Sequence, residues 1–335
     1  MPEFSLVLLV LIAVLAVGFG VVNGFNDAAN AIAASIGSRA LSPRNAIIVA
    51  AVFNLAGAAT GTAVAVTIGK GILISDAISY LTVIAGLASV IVWGTIATYL
   101  GLPVSITHSF VAGLAAAGVT VAGSGAIQWG VMQRVLSSVV AAPVLGFIGG
   151  FTLMVILLWV FRRRAPDRMR VIFSRLQWLT TAFLSYSHGK NDGQMPIAVI
   201  TMALVIYTGQ TVLWDSIPWW VIILSALAIS SGTAIGGWRV IRTLGMKMTT
   251  LRPVHGFTAQ ASAAAVIEVA SHLGIPVSTT HVASASIMGI GATQRLSAVR
   301  WGIAGNIVAA WILTFPICGA LGYLFAWLLK PFILN

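Results

Sequence analysis

Long apolar runs recur along the whole chain, separated by short polar stretches. Several of them exceed the roughly 20 residues that a helix needs to cross a bilayer. The clearest runs lie near residues 46–69, 79–100, 135–160, 219–237 and 301–329. Glycines and prolines interrupt these runs at intervals that suit long helices, not short alternating strands. The pattern predicts an all-α fold, a polytopic transmembrane helical bundle.

The composition also indicates a chain that lives in a bilayer. It has 335 residues, of which 59% are hydrophobic and only 7% are charged, whereas about 25% of residues are charged in a typical soluble domain. The formal net charge is +11. Its basic residues gather between the apolar runs, as the positive-inside bias of membrane proteins predicts. We therefore expect contact with membrane lipid and no nucleic acid partner.

Two short motifs occur twice, in the same order. GFND at 24–27 recurs as GKND at 189–192, and LGLPVSITH at 100–108 recurs as LGIPVSTTH at 273–281. The longer motif is identical at seven of its nine positions. Because both pairs keep their order along the chain, they predict an internal duplication.

The duplication divides the chain into a first transmembrane repeat at 1–161, a basic cytoplasmic loop at 162–177 and a second transmembrane repeat at 178–335. About five spans fall in each repeat, and an odd number of crossings inserts the second repeat upside down, as an inverted-topology repeat. With the basic loop inside, both termini are predicted outside. The predicted spans are 4–36, 46–69, 79–100, 103–122, 128–160, 178–208, 218–237, 253–273, 275–293 and 299–329.

The number of spans depends on two short segments. Residues 103–122 and 275–293 are glycine-rich and begin with proline. Such segments fit spans and re-entrant hairpins equally well, so the total is about 10 to 12 spans. The segment 299–329 contains Pro316, where a break would supply a further crossing.

Asp27 and Asp192 lie in the two copies of the first motif, within otherwise apolar segments. A carboxylate at mid-bilayer costs at least ~2.5 kcal/mol, so it marks a candidate functional site. The motif's glycine and amides suit a broken helix, whose freed carbonyls and carboxylate would surround a hard monovalent cation such as Na⁺. The polar face extends to Asn30 and Gln194, for which ligand and core-amide roles are both open. The predicted cation ligands are Asn26, Asp27, Asn30, Asn191 and Asp192, with Asp27 and Asp192 binding the metal if the cation is sodium.

Two further charged residues lie well within apolar segments. Lys190 stands where the first copy has Phe25, and Glu268 has no counterpart in either motif. Because Lys190 is not repeated, we expect it to have a structural or locally tuning role. Cys318 is the only cysteine and lies in an apolar run, so the sequence offers no internal disulfide.

The second motif is typical of a helix start, with proline, then hydroxyl side chains, then an apolar run. Helix starts attract anions, because their free N–H groups carry the positive end of the helix dipole. An anion held by neutral donors beside two aspartates would be repelled unless cations bind with it. We therefore expect anion and cation binding to be coupled. The hydroxyl donors are Ser105, Thr107, Ser278, Thr279 and Thr280.

The chain resembles the inorganic phosphate transporter (PiT) family over nearly all of its length. The blocks that carry the resemblance are GFNDAANAIAASIGSRALSP, SHGKNDGQ, RPVHGF and LGIPVSTTHVASASIMGIGA. The resemblance implies symport of phosphate with Na⁺ or H⁺ and a substrate site built from both motifs. The implied phosphate ligands, with Gln194 added from its position beside Asp192, are Asn26, Ser105, Thr107, Asn191, Gln194, Ser278, Thr279 and Thr280.

The sequence therefore predicts a secondary active transporter, not an enzyme. We expect cation-coupled import of phosphate by alternating access in a prokaryotic plasma membrane, with co-transported Na⁺ or H⁺ and no other cofactor. The choice between Na⁺ and H⁺ stays open, because a buried aspartate binds either. A permease for sulfate or another oxyanion and a passive anion channel are the alternatives. The sequence is also compatible with a homo-oligomer.

Overall fold

The structure is a computed structural model that describes residues 2–333. It confirms the predicted all-α class, because no β-strand occurs within that range. The helices are α1 (Pro2–Gly37), α2 (Pro43–Ala58), α3 (Ala63–Gly71), α4 (Tyr80–Leu100), α5 (Ile106–Ala122), α6 (Trp129–Val160), α7 (Pro166–Asp192), α8 (Gln194–Thr208), α9 (Trp219–Ile235), α10 (Trp238–Arg242), α11 (Pro253–His272), α12 (Thr279–Gln294) and α13 (Trp301–Ile333).

Four helices in the described range, α1, α4, α6 and α13, are long and apolar enough to cross a membrane. Two bent pairs raise the number to six if each pair is one span. The axes of α2 and α3 meet at 65°, and those of α9 and the segment 238–247 meet at 59°. Helices also occupy the other predicted spans, but the total of 10 to 12 crossings and the inverted orientation of the second repeat stay predictions.

The stretch 162–177 is not the loop that the sequence predicts. Only a short turn separates α6 from α7, which begins at Pro166. Proline suits the first position of a helix because its missing N–H would have no partner there. The arginines of this stretch lie on the exposed surface of α7 and its preceding turn. Pro316 likewise does not break α13, which continues through it to Ile333.

The two copies of the first motif lie in different local structures. The predicted break at the first copy is wrong, because α1 runs without interruption through Asn26 and Asp27. In the second copy the predicted break is present, since α7 ends at Asp192 and α8 begins at Gln194. The predicted span 178–208 is therefore two helices.

The glycines of the first motif allow close helix packing. A Cβ on Gly24 would lie 2.1 Å from the Ile229 carbonyl oxygen of α9. A Cβ on Gly189 would lie 2.2 Å from the Asn54 carbonyl oxygen of α2. Small residues at such crossings let two backbones approach closely in a membrane. The motif glycine therefore serves helix contact in both copies, whether or not the helix breaks nearby.

Helices of the two halves pack against one another. Helix α1 packs on α9 and α2 on α7, while α5 packs on α13 and α6 on α12. Each of these four contacts joins an element of the first half to an element of the second half. The aspartates of the first motif and the helix starts of the second motif thereby reach the same buried region.

Candidate functional site

The second motif forms a helix start in both copies, as the sequence predicts. Ser105 precedes α5, and its hydroxyl accepts a hydrogen bond from the His108 N–H at 3.2 Å. Ser278 precedes α12 and accepts from the His281 N–H at 3.1 Å. Each hydroxyl satisfies one N–H of the first helical turn, which otherwise has no partner in the helix.

Asp27 lies at the start of α5, and only 1% of its surface is exposed. Its Oδ1 accepts from the Thr280 hydroxyl at 2.5 Å and from the Asn30 amide at 3.5 Å. Its Oδ2 accepts from the backbone N–H of Ile106 at 3.4 Å. The first N–H groups of α5 thus face a carboxylate, the charge that the helix dipole favours there.

Asp192 is fully buried at the start of α12. Its Oδ1 accepts from the Asn191 amide at 2.7 Å and from the Thr107 hydroxyl at 3.1 Å. Its Oδ2 accepts from the Thr279 hydroxyl at 2.7 Å. Three neutral donors therefore surround this carboxylate, as buried polar groups require.

The hydrogen bonds of Thr107 and Thr280 cross between the two copies. These threonines hold the same position in their motifs. Thr107 of the first half bonds Asp192 of the second half, and Thr280 of the second half bonds Asp27 of the first half. Each acid is therefore held by a hydroxyl from the opposite copy.

Asp27 and Asp192 come close together. One carboxylate oxygen of each, and one ring nitrogen of His188, all lie within 4.8 Å of one another. Two negative charges at that separation repel by roughly 3 kcal/mol at an effective dielectric constant of about 20. A cation or a proton placed between them would remove this repulsion. The two aspartates among the predicted cation ligands thus face one buried position, together with His188.

His188 is a site residue that the sequence analysis missed. Its Nδ1 lies 2.7 Å from the Asn54 amide oxygen, and the Asn54 nitrogen donates to the Thr233 hydroxyl at 2.9 Å. This network assigns the ring proton to Nδ1. Its Nε2 then faces Asp192 Oδ2 at 3.1 Å. Both atoms are hydrogen-bond acceptors, so a proton or cation between them would satisfy both.

The spacing of His188 from Asp192 does indicate a shared site, although a comparison of the two copies does not reveal it. It lies four residues before Asp192 on the same helix, which places both side chains on one face. The first copy has Asn23 in that position. Because the residue type differs between the copies, the repeat did not mark it.

The asparagines of the first motif border the two aspartates. Asn191 donates to the Val277 carbonyl at 2.7 Å, and the Asn26 amide lies 2.5 Å from the Thr98 hydroxyl. The other end of the Asn26 amide faces the Val104 carbonyl at 3.3 Å. Val104 and Val277 are equivalent residues that precede the two helix starts. Backbone carbonyls at such irregular positions are oxygen ligands available to a cation.

The side-chain amides of Asn30 and Gln194, which follow the two copies of the first motif, differ in their surroundings. Asn30 is buried within the site and donates to the Thr280 hydroxyl at 2.6 Å. Among the described residues, Gln194 instead forms its hydrogen bonds with backbone groups. Its oxygen accepts from the Ala65 N–H at 3.0 Å, in the first turn of α3, and its nitrogen donates to the Lys190 carbonyl at 2.7 Å. These contacts are typical of a core amide for Gln194, whereas the ligand role of Asn30 stays a prediction.

Comparisons with known proteins identify the family of this chain. The model of the phosphate transporter family matches residues 23–322. The chain belongs to the phosphate transporter family. The resemblance that the motifs carry is thereby confirmed, and phosphate is the substrate of this family. Membership of a transporter family, together with several long apolar helices, indicates a multi-pass membrane protein.

Individual members of the phosphate transporter family are similar along their full length. A probable low-affinity inorganic phosphate transporter of Bacillus subtilis (strain 168) is 39% identical over 322 residues, covering 96% of each chain. The protein of that name in Rhizobium meliloti (strain 1021) is 38% identical over 312 residues, covering 92% of each. A solved structure described as the sodium-dependent phosphate transporter has a TM-score of 0.91 and 27% identity, and the match covers 97% of this chain and 100% of that one.

Proposed function

We propose that this chain imports inorganic phosphate by cation symport across a prokaryotic plasma membrane. The observation that carries the proposal is the pair of buried aspartates, one from each copy, with carboxylate oxygens within 4.8 Å of each other. Both acids lie at helix starts that favour anions. Phosphate adds further negative charge to this region, so it binds only when cations neutralise the acids.

The same hydroxyl groups serve the acids and the substrate in turn. Thr107, Thr279 and Thr280 donate to the carboxylates in the structure. A cation that binds the carboxylates competes for their oxygens and frees the hydroxyls to donate to phosphate. In this proposal, phosphate accepts hydrogen bonds from these hydroxyls only after the cation has bound the carboxylates. Ser105 and Ser278 accept backbone hydrogen bonds as they cap α5 and α12, and we expect their hydroxyl protons to be donated to phosphate.

We propose alternating access as the transport mechanism, and the way the two copies share the site supports it. Transporters built from two repeats expose a midplane site to each side by moving one repeat against the other. The crossed bonds of Thr107 and Thr280 join the copies at the aspartates, where such a movement would break or re-form them. The cation is Na⁺ in this proposal, because the structurally similar protein is described as sodium-dependent. H⁺ is the alternative that the experiment separates.

The decisive experiment measures phosphate uptake by the purified protein in proteoliposomes. External Na⁺ is varied at fixed pH, and pH is then varied without Na⁺. We expect uptake to rise with Na⁺ and to stop when the Na⁺ gradient is collapsed. A rise with acid alone would assign H⁺ instead. Downhill phosphate flow that ignores both gradients would contradict symport and favour a passive channel, and sulfate uptake stronger than phosphate uptake would favour a different oxyanion permease.

The roles of the two acids are tested by Asp27→Asn and Asp192→Asn. Both variants keep the size of the side chain and remove the charge, so we expect coupled uptake to fall below about 1% of the original while the protein stays inserted. Asp76→Asn is the matched control, because Asp76 is exposed in the turn before α4. Near-normal uptake by both site variants would refute the assigned roles.

A further inference from the structure

We infer that a groove where α6 ends and where α7 and α11 begin binds an anionic phospholipid. Its volume is about 460 Å³. It lies apart from the aspartates, and its role does not depend on the transport mechanism. The residues that define this basic groove are Leu158, Phe161, Arg162, Arg170, Phe173 and Arg252.

The floor of the basic groove is apolar and suits an acyl chain. Phe161 and Phe173 meet edge to face, with ring centroids 5.6 Å apart. Phe173 also packs on Phe257 at 5.2 Å, and only 2% of its own surface is exposed, so the floor is fixed. Leu158 on the wall is 49% exposed. Apolar groups exposed at the end of a membrane helix are normally covered by lipid chains.

The rim of the basic groove carries the complementary charge. Three arginines line it, and Asp167 is the one acidic residue that lines it. Asp167 lies 3.7 Å from Arg170, so two positive charges remain in excess at the rim. The Arg162 guanidinium lies over the Trp159 ring, 5.1 Å from its centroid. A tryptophan paired with arginine is typical of the interface where lipid headgroups lie.

Two helix starts add to the attraction for an anion. Pro166 begins α7 and Pro253 begins α11, and both residues line the basic groove. Free N–H groups of a first turn favour a phosphate group. Basic pockets between membrane helices bind anionic headgroups, whereas a zwitterionic lipid brings no net charge to the rim. Free phosphate would leave the apolar floor unfilled. An anionic phospholipid fits both parts of the groove.

The experiment titrates the full-length protein in detergent micelles with phosphatidylglycerol and counts bound lipids by native mass spectrometry. The test variant combines Arg162→Gln, Arg170→Gln and Arg252→Gln. Each arginine near a membrane surface contributes about a fivefold gain in anionic lipid binding, so we expect binding to weaken on the order of 100-fold. Phosphatidylcholine should bind weakly to the original protein and to the variant alike.

The control variant removes the same number of positive charges from nearby positions outside the basic groove. It combines Arg163→Gln, Arg164→Gln and Arg168→Gln, which are exposed and do not line the basic groove. We expect it to keep most phosphatidylglycerol binding. Equal loss in both variants would overturn the proposal, because binding would then follow charge alone. Equal binding of the two lipids would also overturn it, as would displacement of phosphatidylglycerol by millimolar inorganic phosphate.

A second variant tests the apolar floor and leaves every arginine in place. Leu158→Trp fills part of the groove at an exposed position, so it is expected to fold. We expect it to lower phosphatidylglycerol binding at least tenfold while thermal unfolding of the lipid-free protein stays unchanged. If the arginine variant fails to fold, this variant decides. Undiminished binding by a folded Leu158→Trp would overturn the groove as the site.

Discussion

At the scale of single residues, the site depends on a few neutral donors around two acids. Repetition made most of these residues predictable, because a polar residue that recurs in an apolar segment has no other simple explanation. Asp27, Asp192, Thr107 and Thr280 were all found in this way. His188 was not, since its contact with Asp192 exists in one copy alone. Repeats therefore predict what the two halves share, and the structure adds what makes them differ.

Removing one crossed hydroxyl should impair transport without unfolding the protein. Thr107→Val and Thr280→Val keep the side-chain shape but leave Asp192 or Asp27 with one donor fewer. A hydrogen bond to a charged group contributes about 1.5–3 kcal/mol, so we expect phosphate uptake to fall roughly tenfold or more in each variant. The measurement is initial uptake against phosphate and Na⁺ concentration.

The matched control for these variants is Thr120→Val. Thr120 lies on α5 and its hydroxyl bonds only the Ala116 carbonyl of the same helix, at 3.1 Å. Its loss should leave uptake nearly unchanged. If all three valine variants transported equally well, the crossed hydrogen bonds would have no part in the mechanism.

Lys190 and Glu268 form an ion pair between α7 and α11, next to the site. Their side chains are only 16% and 27% exposed, so removal of one partner leaves the other charge poorly solvated. We expect Lys190→Met and Glu268→Gln each to lower the free energy of unfolding by about 1–3 kcal/mol. The double variant should lose less than the sum of the two. The measurement is unfolding in mixed detergent micelles, and strictly additive losses would argue against the pair.

At the scale of helices, most elements could be predicted from apolar runs, but the motif alone could not show which of its two copies breaks the helix. The two copies of the first motif share glycine, asparagine and aspartate, yet only α7 ends there. The difference lies downstream, where Pro196 stands three residues after Gly193 and the first copy has Ala31. In a continuous helix the Pro196 ring would clash with the Asp192 carbonyl, four residues earlier. Pro196 is therefore a sequence difference that accompanies the break, although a proline alone does not cause one, since α13 continues through Pro316.

The motif glycines can be tested as packing residues. Gly24→Ala and Gly189→Ala would each place a Cβ against a backbone carbonyl of the neighbouring helix, which no side-chain rotation can relieve. We expect each to destabilise the folded protein by at least ~2 kcal/mol and to lower its yield from membranes. The measurement is the thermal unfolding midpoint in detergent. A stability equal to that of the original protein would show that these helices are not closely packed.

Gly319→Ala is the matched control for the two glycine variants. Gly319 lies within α13, and a Cβ there would meet no atom within 4 Å. Alanine favours a helix over glycine by about 0.5–1 kcal/mol. We therefore expect this substitution to leave stability unchanged or slightly raised.

At the scale of the whole molecule, polar contacts join loops that are distant in the chain into two groups. In one group Lys70 pairs with Asp215 at 3.6 Å, and the Gln128 amide donates to the Lys70 carbonyl. In the other, Arg300 donates to the Lys247 carbonyl at 2.9 Å. With the basic stretch 162–177 inside, the predicted spans put Lys70 outside and Lys247 and Arg300 inside. The side of the membrane that each group faces stays a prediction, as does the inversion of the second repeat.

Two equivalent turns allow the inversion to be tested. The turn Ser124–Ala126 lies between α5 and α6, and the turn Leu296–Ala298 lies between α12 and α13. In a Cys318→Ala background, we expect an impermeant maleimide to label Ser124→Cys in intact cells and Ser297→Cys only after permeabilisation, because inverted repeats place equivalent turns on opposite sides. Both positions are exposed. Labelling of both from the same side would rule out an inverted repeat.

The hydrogen bonds that cross between the two copies have a consequence for a chain that is divided in two. If the gene were cut within the short turn between α6 and α7, each product would keep one acid but lack the threonine of the opposite copy that donates to it. Neither fragment alone would take up phosphate, whereas cells that make both would recover uptake to the extent that the pieces assemble. A continuous chain would then not be required for the ion site, whereas assembly of the two halves would be.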